Sequence, residues 1–132
     1  MKIENQVVTI EQAKKLKELG VTAEPLFWYV IDIDPITPLD IIQKWQHSNF
    51  DQCEKYAAFT VAELGVMLPS ETHTQRTGSE DSEYDNWEWV DDGNGNANGL
   101  YNTEVEARAA MLIYLLENNL TTAEEVNQRL TN

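Results

Sequence analysis

The chain has 132 residues, with 9 Lys and Arg against 23 Asp and Glu, which gives a formal net charge of −14. This length fits one domain spanning residues 1–132, and it allows an ordinary hydrophobic core without metal or disulfide support. The charge argues against general electrostatic binding to bare nucleic acid or to an anionic membrane, and the single cysteine excludes an internal disulfide framework.

Nothing in the sequence is typical of a membrane-spanning or exported protein. No run of about 18 apolar residues occurs, so we expect no transmembrane helix. The first residues, MKIENQVVTIEQ, mix charged and polar side chains, unlike a signal peptide. We therefore expect a cytoplasmic protein with no membrane partner.

Capping boxes, in which a threonine is followed three residues later by Glu or Gln, predict the starts of four helices. The four boxes begin at Thr9, Thr60, Thr103 and Thr122. The predicted helices are Ile10–Leu19, about Val61–Leu68, roughly Glu104–Asn118 and a short terminal helix through Leu130, and Pro38–Trp45 also fits a helix.

The third of these helices carries the strongest core signal. Ala109–Leu116 is apolar on nearly all sides, which is typical of a helix at the centre of a domain. The first helix is amphipathic instead. Its lysines, Lys14, Lys15 and Lys17, lie toward the C-terminal half, where they complement the helix dipole.

Strand signals are fewer. Leu26–Asp32 is rich in aromatic and β-branched residues on both faces, which predicts a central strand. Asn86–Val90 predicts a second strand, with Trp87 and Trp89 on one face. Weaker signals predict a turn over Asp91–Gly99, a short return strand at Leu100 and Tyr101, and an edge strand over Glu71–Thr77.

Helices and strands in this order predict an α+β fold. We expect a small antiparallel sheet of about three strands, flanked by about four helices, with a long central C-terminal helix. The sequence contains no internal repeat and no segment typical of an interdomain linker.

Few residues are suited to catalysis or to metal binding. Cys53 has no recognised cysteine-hydrolase signature around it, and His47 and His73 form no metal-ligand spacing with it. No glycine pattern typical of a phosphate-binding loop occurs. We therefore predict no enzyme activity, no catalytic residue, no cofactor and no metal.

The loop after the second predicted strand resembles a calcium site only in part. Asp92, Asn94 and Asn96 have the spacing that begins an EF-hand loop. Ala97 stands where that loop requires Gly, and Thr103 stands where it requires Glu. We therefore predict a turn that binds no calcium.

The acidity is concentrated in one part of the chain. Residues 1–76 contain 11 acids and 7 bases, whereas residues 77–132 contain 12 acids and 2 bases. No Lys or Arg lies between Thr77 and Ala107. Such a segment is either a solvated face that keeps the protein soluble or a surface that meets a basic partner.

Aromatic residues stand among these acids. Trp and Tyr are enriched at the centres of protein interfaces, although they also suit strands and cores. We predict a partner-binding site formed by Tyr84, Asp85, Trp87, Glu88, Trp89, Asp91, Asp92 and Tyr101.

Several segments, in their order along the chain, resemble a known group of proteins. They are Gln12–Gly20, Leu26–Tyr29, Ala58–Gly65, Met67–Pro69 and Glu106–Glu117. This order is similar to that of small uncharacterised accessory proteins of phages, prophages and mobile elements of gut Bacteroidetes. The resemblance implies a bacterial or phage cytosolic setting, and it carries no assigned activity and no catalytic residue.

Three functions remain open. The first is a non-enzymatic acidic binding protein, such as an inhibitor or a nucleic-acid mimic, that acts on a host protein with a basic surface. The second is a homo-oligomeric accessory module, with Ala109–Leu116 partly at a homodimer interface. The third is a small-molecule-binding protein or small enzyme, which requires a concave pocket with convergent polar groups.

Overall fold

The computed structural model describes residues 6–31, 40–43, 54–69, 72–77, 86–91, 96–101 and 103–131. This part of the chain forms four helices and six strands, which confirms the mixed α+β class. The elements in chain order are α1 (Ile10–Glu18), β1 (Phe27–Ile31), β2 (Asp40–Gln43), β3 (Glu54–Ala57), α2 (Val61–Met67), β4 (Thr72–Thr77), β5 (Asn86–Asp91), β6 (Asn96–Tyr101), α3 (Glu104–Glu117) and α4 (Ala123–Thr131).

All four helices begin where the capping boxes predict. In α1, the Thr9 side chain accepts from the Gln12 amide, and the Gln12 side chain accepts from the Thr9 amide, each at 3.2 Å. Thr60 forms the same reciprocal box at the start of α2. The hydroxyls of Thr103 and Thr122 each accept a backbone amide at 3.2 Å, so local hydrogen bonds set these starts.

The first sheet has the order β2-β1-β3 and is antiparallel. Trp28 of β1 lies opposite Ile42 on one side and Ala57 on the other, so β1 is the central strand, as predicted. The helix predicted over Pro38–Trp45 is wrong in its described part. Asp40–Gln43 is a strand, because its two β-branched isoleucines pair along β1.

The second sheet has the order β4-β5-β6 and is also antiparallel. β5 pairs with β4 in a continuous register, whereas its pairing with β6 shifts by one residue between Trp87 and Trp89. A shift of this kind is a β-bulge, which bends the strand and increases its twist. The described residues form six strands in two sheets, which exceeds the predicted single sheet of about three strands.

α3 is the longest helix and contacts α1, α2 and all three strands of the second sheet. One side of it is fully buried, and the fully buried residues include Ala109, Met111 and Leu112. Ile113 and Tyr114 remain half-buried, so the helix is less enclosed than its composition suggests. None of the described helices has the length and apolar character needed to cross a bilayer.

α4 forms hydrogen bonds with the chain just after α1 and with the C-terminal end of α2. The Asn127 side-chain oxygen accepts from the amides of Thr22 and Ala23, at 2.7 and 3.1 Å, and its amide nitrogen donates to the Gly20 carbonyl at 3.1 Å. Arg129 donates to the Met67 carbonyl at 2.9 Å, which satisfies a free acceptor at the C-terminal end of α2. The bonds of Asn127 fix the segment that connects α1 to β1.

Candidate functional site

The predicted acidic site is only partly within the described residues. Tyr84, Asp85 and Asp92 lie outside them. The remaining five predicted residues lie in the second sheet, namely Trp87, Glu88, Trp89 and Asp91 on β5 and Tyr101 on β6. β5 is the middle strand, and α3 packs against the sheet.

Trp87 and Tyr101 are directly opposite each other in the register of β5 and β6. Both are half-buried, and Tyr101 packs against the hydrophobic core. Aromatic residues that face each other across an antiparallel pair stabilise the pairing. Trp87 and Tyr101 therefore belong to the fold of the second sheet, while each keeps an accessible fraction.

The residues considered for catalysis contribute little to the described structure. Cys53 and His47 lie outside the described residues, as do Asp92 and Asn94 of the calcium-like loop. His73 lies on β4, where it pairs with Val90. Within the described ranges, no three His, Cys, Asp or Glu residues are close enough together to hold a metal ion.

A cluster of positive charge surrounds Tyr56 of β3. The Lys17 Nζ lies 4.9 Å from the centre of the Tyr56 ring, and the Lys14 Nζ lies 5.6 Å from it. Both distances are within the range of a cation–π interaction. Lys17 Nζ also donates to the Lys55 carbonyl at 3.4 Å, so α1 is held along β3 by its lysines.

Tyr56 also contacts an acid. Its hydroxyl donates to the Glu54 carboxylate at 3.4 Å. Burial, together with the charge of Glu54 and this hydrogen bond, raises the pKa of Tyr56 above its ordinary value of 10.0. The phenol is therefore neutral throughout the physiological range, and it acts as a hydrogen-bond donor and a cation-binding ring.

A cavity of about 440 Å³ opens beside this cluster, between α1, the first sheet and residues 21–23. We call it the α1 cavity. Its lining consists of Ala13, Leu16, Lys17, Val21, Thr22, Ala23, Trp28, Glu54, Lys55, Ala57 and Phe59. The volume is in the range of small-molecule sites, which are concave and mostly apolar with a few placed polar groups.

The lining of the α1 cavity combines buried apolar side chains with charged residues. Leu16 and Phe59 are 1% exposed and form part of the lining, and Trp28 is half-buried. The charged groups are Lys17, Lys55 and Glu54. Two positive charges and one negative charge give the lining residues a net charge of +1, although the chain as a whole is strongly acidic.

A second hollow, of about 250 Å³, lies between α2, α3 and β4 next to Arg108. The Arg108 guanidinium donates to the Val61 carbonyl at 3.1 Å, to Glu104 at 2.9 Å and to Thr74 at 3.4 Å. Thr74 in turn donates to Glu104 at 3.0 Å. Because its polar groups bond to one another, this network serves to join α3 to α2 and β4.

Comparisons with protein-family models, with curated proteins and with solved structures find no match to this chain. A functional assignment therefore depends on the charges and the geometry of its own residues.

The sequence predicts the acidic site but misses the α1 cavity. Lys14 and Lys17 are three residues apart, and this spacing alone indicates that they share a face of α1. Their place beside Tyr56 and Lys55 depends on how α1 packs on β3, which no local pattern encodes.

Proposed function

We propose that this protein is a non-enzymatic binding protein whose acidic segment, residues 80–92, holds a basic surface of another protein. The observation that carries the proposal is the absence of any Lys or Arg between Thr77 and Ala107, in a stretch that contains nine acids. Repulsion between like charges destabilises a folded chain, so such a concentration favours a role in binding.

A group of lysines lies elsewhere, which supports the same proposal, although Arg76 lies on β4 of the second sheet, opposite Trp87 in the register. Lys14 and Lys17 on α1 lie beside Tyr56 of β3, in the part of the fold built on the first sheet. β5 and β6, which belong to the second sheet, contain no Lys or Arg. A basic partner would therefore be attracted to β5 and β6 and to the rest of the acidic segment.

Trp87 supplies an apolar contact within this surface. It is half-buried, so part of the ring remains available to a partner. Tryptophan is enriched among the residues that dominate binding energy, whereas charges at the rim mainly raise the association rate. On this proposal Trp87 anchors the partner, and Asp85 and Glu88 increase the rate at which it arrives.

The homo-oligomeric alternative has less support. It places Ala109–Leu116 partly at a dimer interface. Most of this run is buried within a single chain, with Ala109, Met111 and Leu112 fully enclosed. Little of the run is left to form a contact between two chains.

The test compares two double variants with the same change in charge. Asp85→Asn with Glu88→Gln neutralises two acids of the proposed site. Glu11→Gln with Glu124→Gln neutralises two exposed acids on α1 and α4. Each immobilised protein is incubated with bacterial lysate at low salt, the enriched proteins are identified, and their affinities are measured with purified partner.

We expect the wild-type protein to enrich a basic protein, and the site variant to weaken its binding about tenfold. The control variant should change the affinity by less than about twofold, because isolated surface charges contribute little. Equal losses in both variants would indicate attraction to net charge alone and would contradict the proposed site. Enrichment of no protein would contradict the proposed function.

A further inference from the structure

The α1 cavity has the features of a small-molecule site. Its lining includes the apolar side chains of Leu16 and Phe59, which are almost fully enclosed by the protein. Its lining also contains the half-buried ring of Trp28. Contact with such a surface favours a ligand with an apolar body, because burial of that body removes it from water.

The charged residues of the lining favour a particular polar group on the ligand. Lys17 and Lys55 line the cavity together with one acid, Glu54. The Glu54 carboxylate also accepts a hydrogen bond from the Tyr56 hydroxyl, which uses part of its hydrogen-bonding capacity. A carboxylate on the ligand would therefore meet two lysines, of which Lys17 also contacts the Tyr56 ring and the Lys55 carbonyl, and one partly satisfied acid.

We propose that the α1 cavity binds a small amphipathic carboxylate, with its apolar part against Trp28 and Ala57, which are only half-buried, and its carboxylate at Lys17 and Lys55. The site is distinct from the acidic segment, and this inference does not depend on the proposed function. The ligand lies between α1 and β1–β3, and its carboxylate faces solvent at the edge of the cavity.

The net charge of the chain does not oppose this assignment. At physiological ionic strength the Debye length is about 8 Å, so acids farther away are largely screened, whereas charges in contact with the ligand are not. An anion that binds here must therefore be recognised locally. Attraction by the whole acidic chain would favour a cation. Local recognition at the lysines would instead favour an anion over a cation of the same shape.

Three probes of one size measure this preference, namely octanoate, 1-octanol and octylammonium. Each is titrated into the full-length protein, and backbone amide shifts are followed by NMR at Thr22 and Ala57, which line the cavity. We expect octanoate to shift these amides with an affinity about tenfold above that of 1-octanol, which corresponds to one charge-assisted hydrogen bond. Octylammonium should bind there more weakly than either.

Three variants separate the charge from the cavity. Lys17→Met should lower the octanoate affinity about fivefold and leave that for 1-octanol unchanged. Lys15→Met is the matched control, because Lys15 is on the same helix, does not line the cavity and pairs with Glu117. Thr22→Trp should block both probes, and it alters an exposed residue, so the fold is retained.

Several results would overturn the inference. The first is the absence of shifts at Thr22 and Ala57 with octanoate at about 10 mM, a concentration roughly ten times a millimolar Kd. The second is tighter binding of octylammonium than of octanoate at the same amides. The third is an equal effect of Lys17→Met and Lys15→Met on octanoate binding. Unchanged octanoate binding in Thr22→Trp would place the ligand elsewhere and would equally overturn it.

Discussion

Gly65 of α2 and Arg108 of α3 fit together because the glycine has no side chain. A Cβ at residue 65 would collide with the Arg108 Nη1, which donates to the Val61 carbonyl at 3.1 Å. The same guanidinium is bonded to Glu104 and Thr74. Because the two helices approach closely at this point, the Arg108 side chain can bond to α2, α3 and β4.

Gly65→Ala should therefore destabilise the protein, although alanine is the better helix former. The gain in helix propensity is about 1 kcal/mol, whereas displacing Arg108 disrupts charge-assisted hydrogen bonds of about 1.5–3 kcal/mol each. We expect a net loss of about 1 kcal/mol in the free energy of unfolding, because the half-exposed guanidinium regains some bonds from water. Urea unfolding monitored by circular dichroism measures it.

The Arg108→Ala background is the control for this prediction. Without the guanidinium nothing described obstructs a Cβ at Gly65, so the same substitution should stabilise the protein by about 1 kcal/mol. The sign of the effect thus reverses between the two backgrounds. If Gly65→Ala were stabilising in both, the collision with Arg108 would have no energetic consequence.

Glu63 is a buried acidic side chain, at 8% exposed. One carboxylate oxygen accepts from the Thr60 amide at 3.0 Å and from the Thr60 hydroxyl at 3.1 Å, and the other accepts from the Leu26 amide at 3.0 Å. Glu63→Gln places an NH₂ group against at least one of these donors. We expect a loss of about 1–3 kcal/mol in the free energy of unfolding, the cost of an unsatisfied buried donor.

Glu124→Gln is the matched control for Glu63→Gln. Glu124 lies in the first turn of α4 and is exposed. The same change there should cost less than about 0.5 kcal/mol, since only its interaction with the helix dipole is affected. Similar losses in the two variants, measured by urea unfolding, would show that the Leu26 and Thr60 contacts contribute nothing beyond the interaction of a carboxylate with the helix dipole.

These contacts show what the sequence can and cannot predict. The box at Thr60 and Glu63 is local, and it sets the start of α2 where the sequence predicts it. The bond from Glu63 to Leu26 spans 37 residues and has no local signature. Helix starts depend on neighbouring residues, so they were predictable, whereas contacts between elements were not.

The strands follow the same rule. β1 is predictable because its own residues are aromatic and β-branched. Glu54–Ala57 has no such composition and becomes a strand because it pairs with β1. The α1 cavity depends on both this pairing and the packing of α1, so it could not be predicted from residue patterns.

Asn127 of α4 fixes the segment after α1, which forms one wall of the α1 cavity. Asn127→Ala removes two bonds to backbone amides and one to a carbonyl. We expect a loss of about 2 kcal/mol in the free energy of unfolding, together with faster hydrogen exchange at the Thr22 and Ala23 amides. Gln128→Ala, an exposed neighbour, is the control and should change neither quantity. Unchanged exchange at Thr22 and Ala23 would contradict the assigned role.

Tyr56 should make the stability of the protein fall in alkali. Burial and Glu54 raise its pKa in the folded state above the ordinary value of 10.0, so the fold favours the neutral phenol. The stability linked to this shift is fully present below pH 10 and is lost as the pH rises through the folded-state pKa.

Urea unfolding of the wild type and of Tyr56→Phe, from pH 8 to 11, should show the wild type losing stability relative to the variant only above about pH 10. Lys14 and Lys17, whose ammonium groups lie near the Tyr56 ring, are present in both proteins, so the comparison isolates the phenol. Parallel curves up to pH 11 would mean that folding leaves the pKa of Tyr56 unchanged.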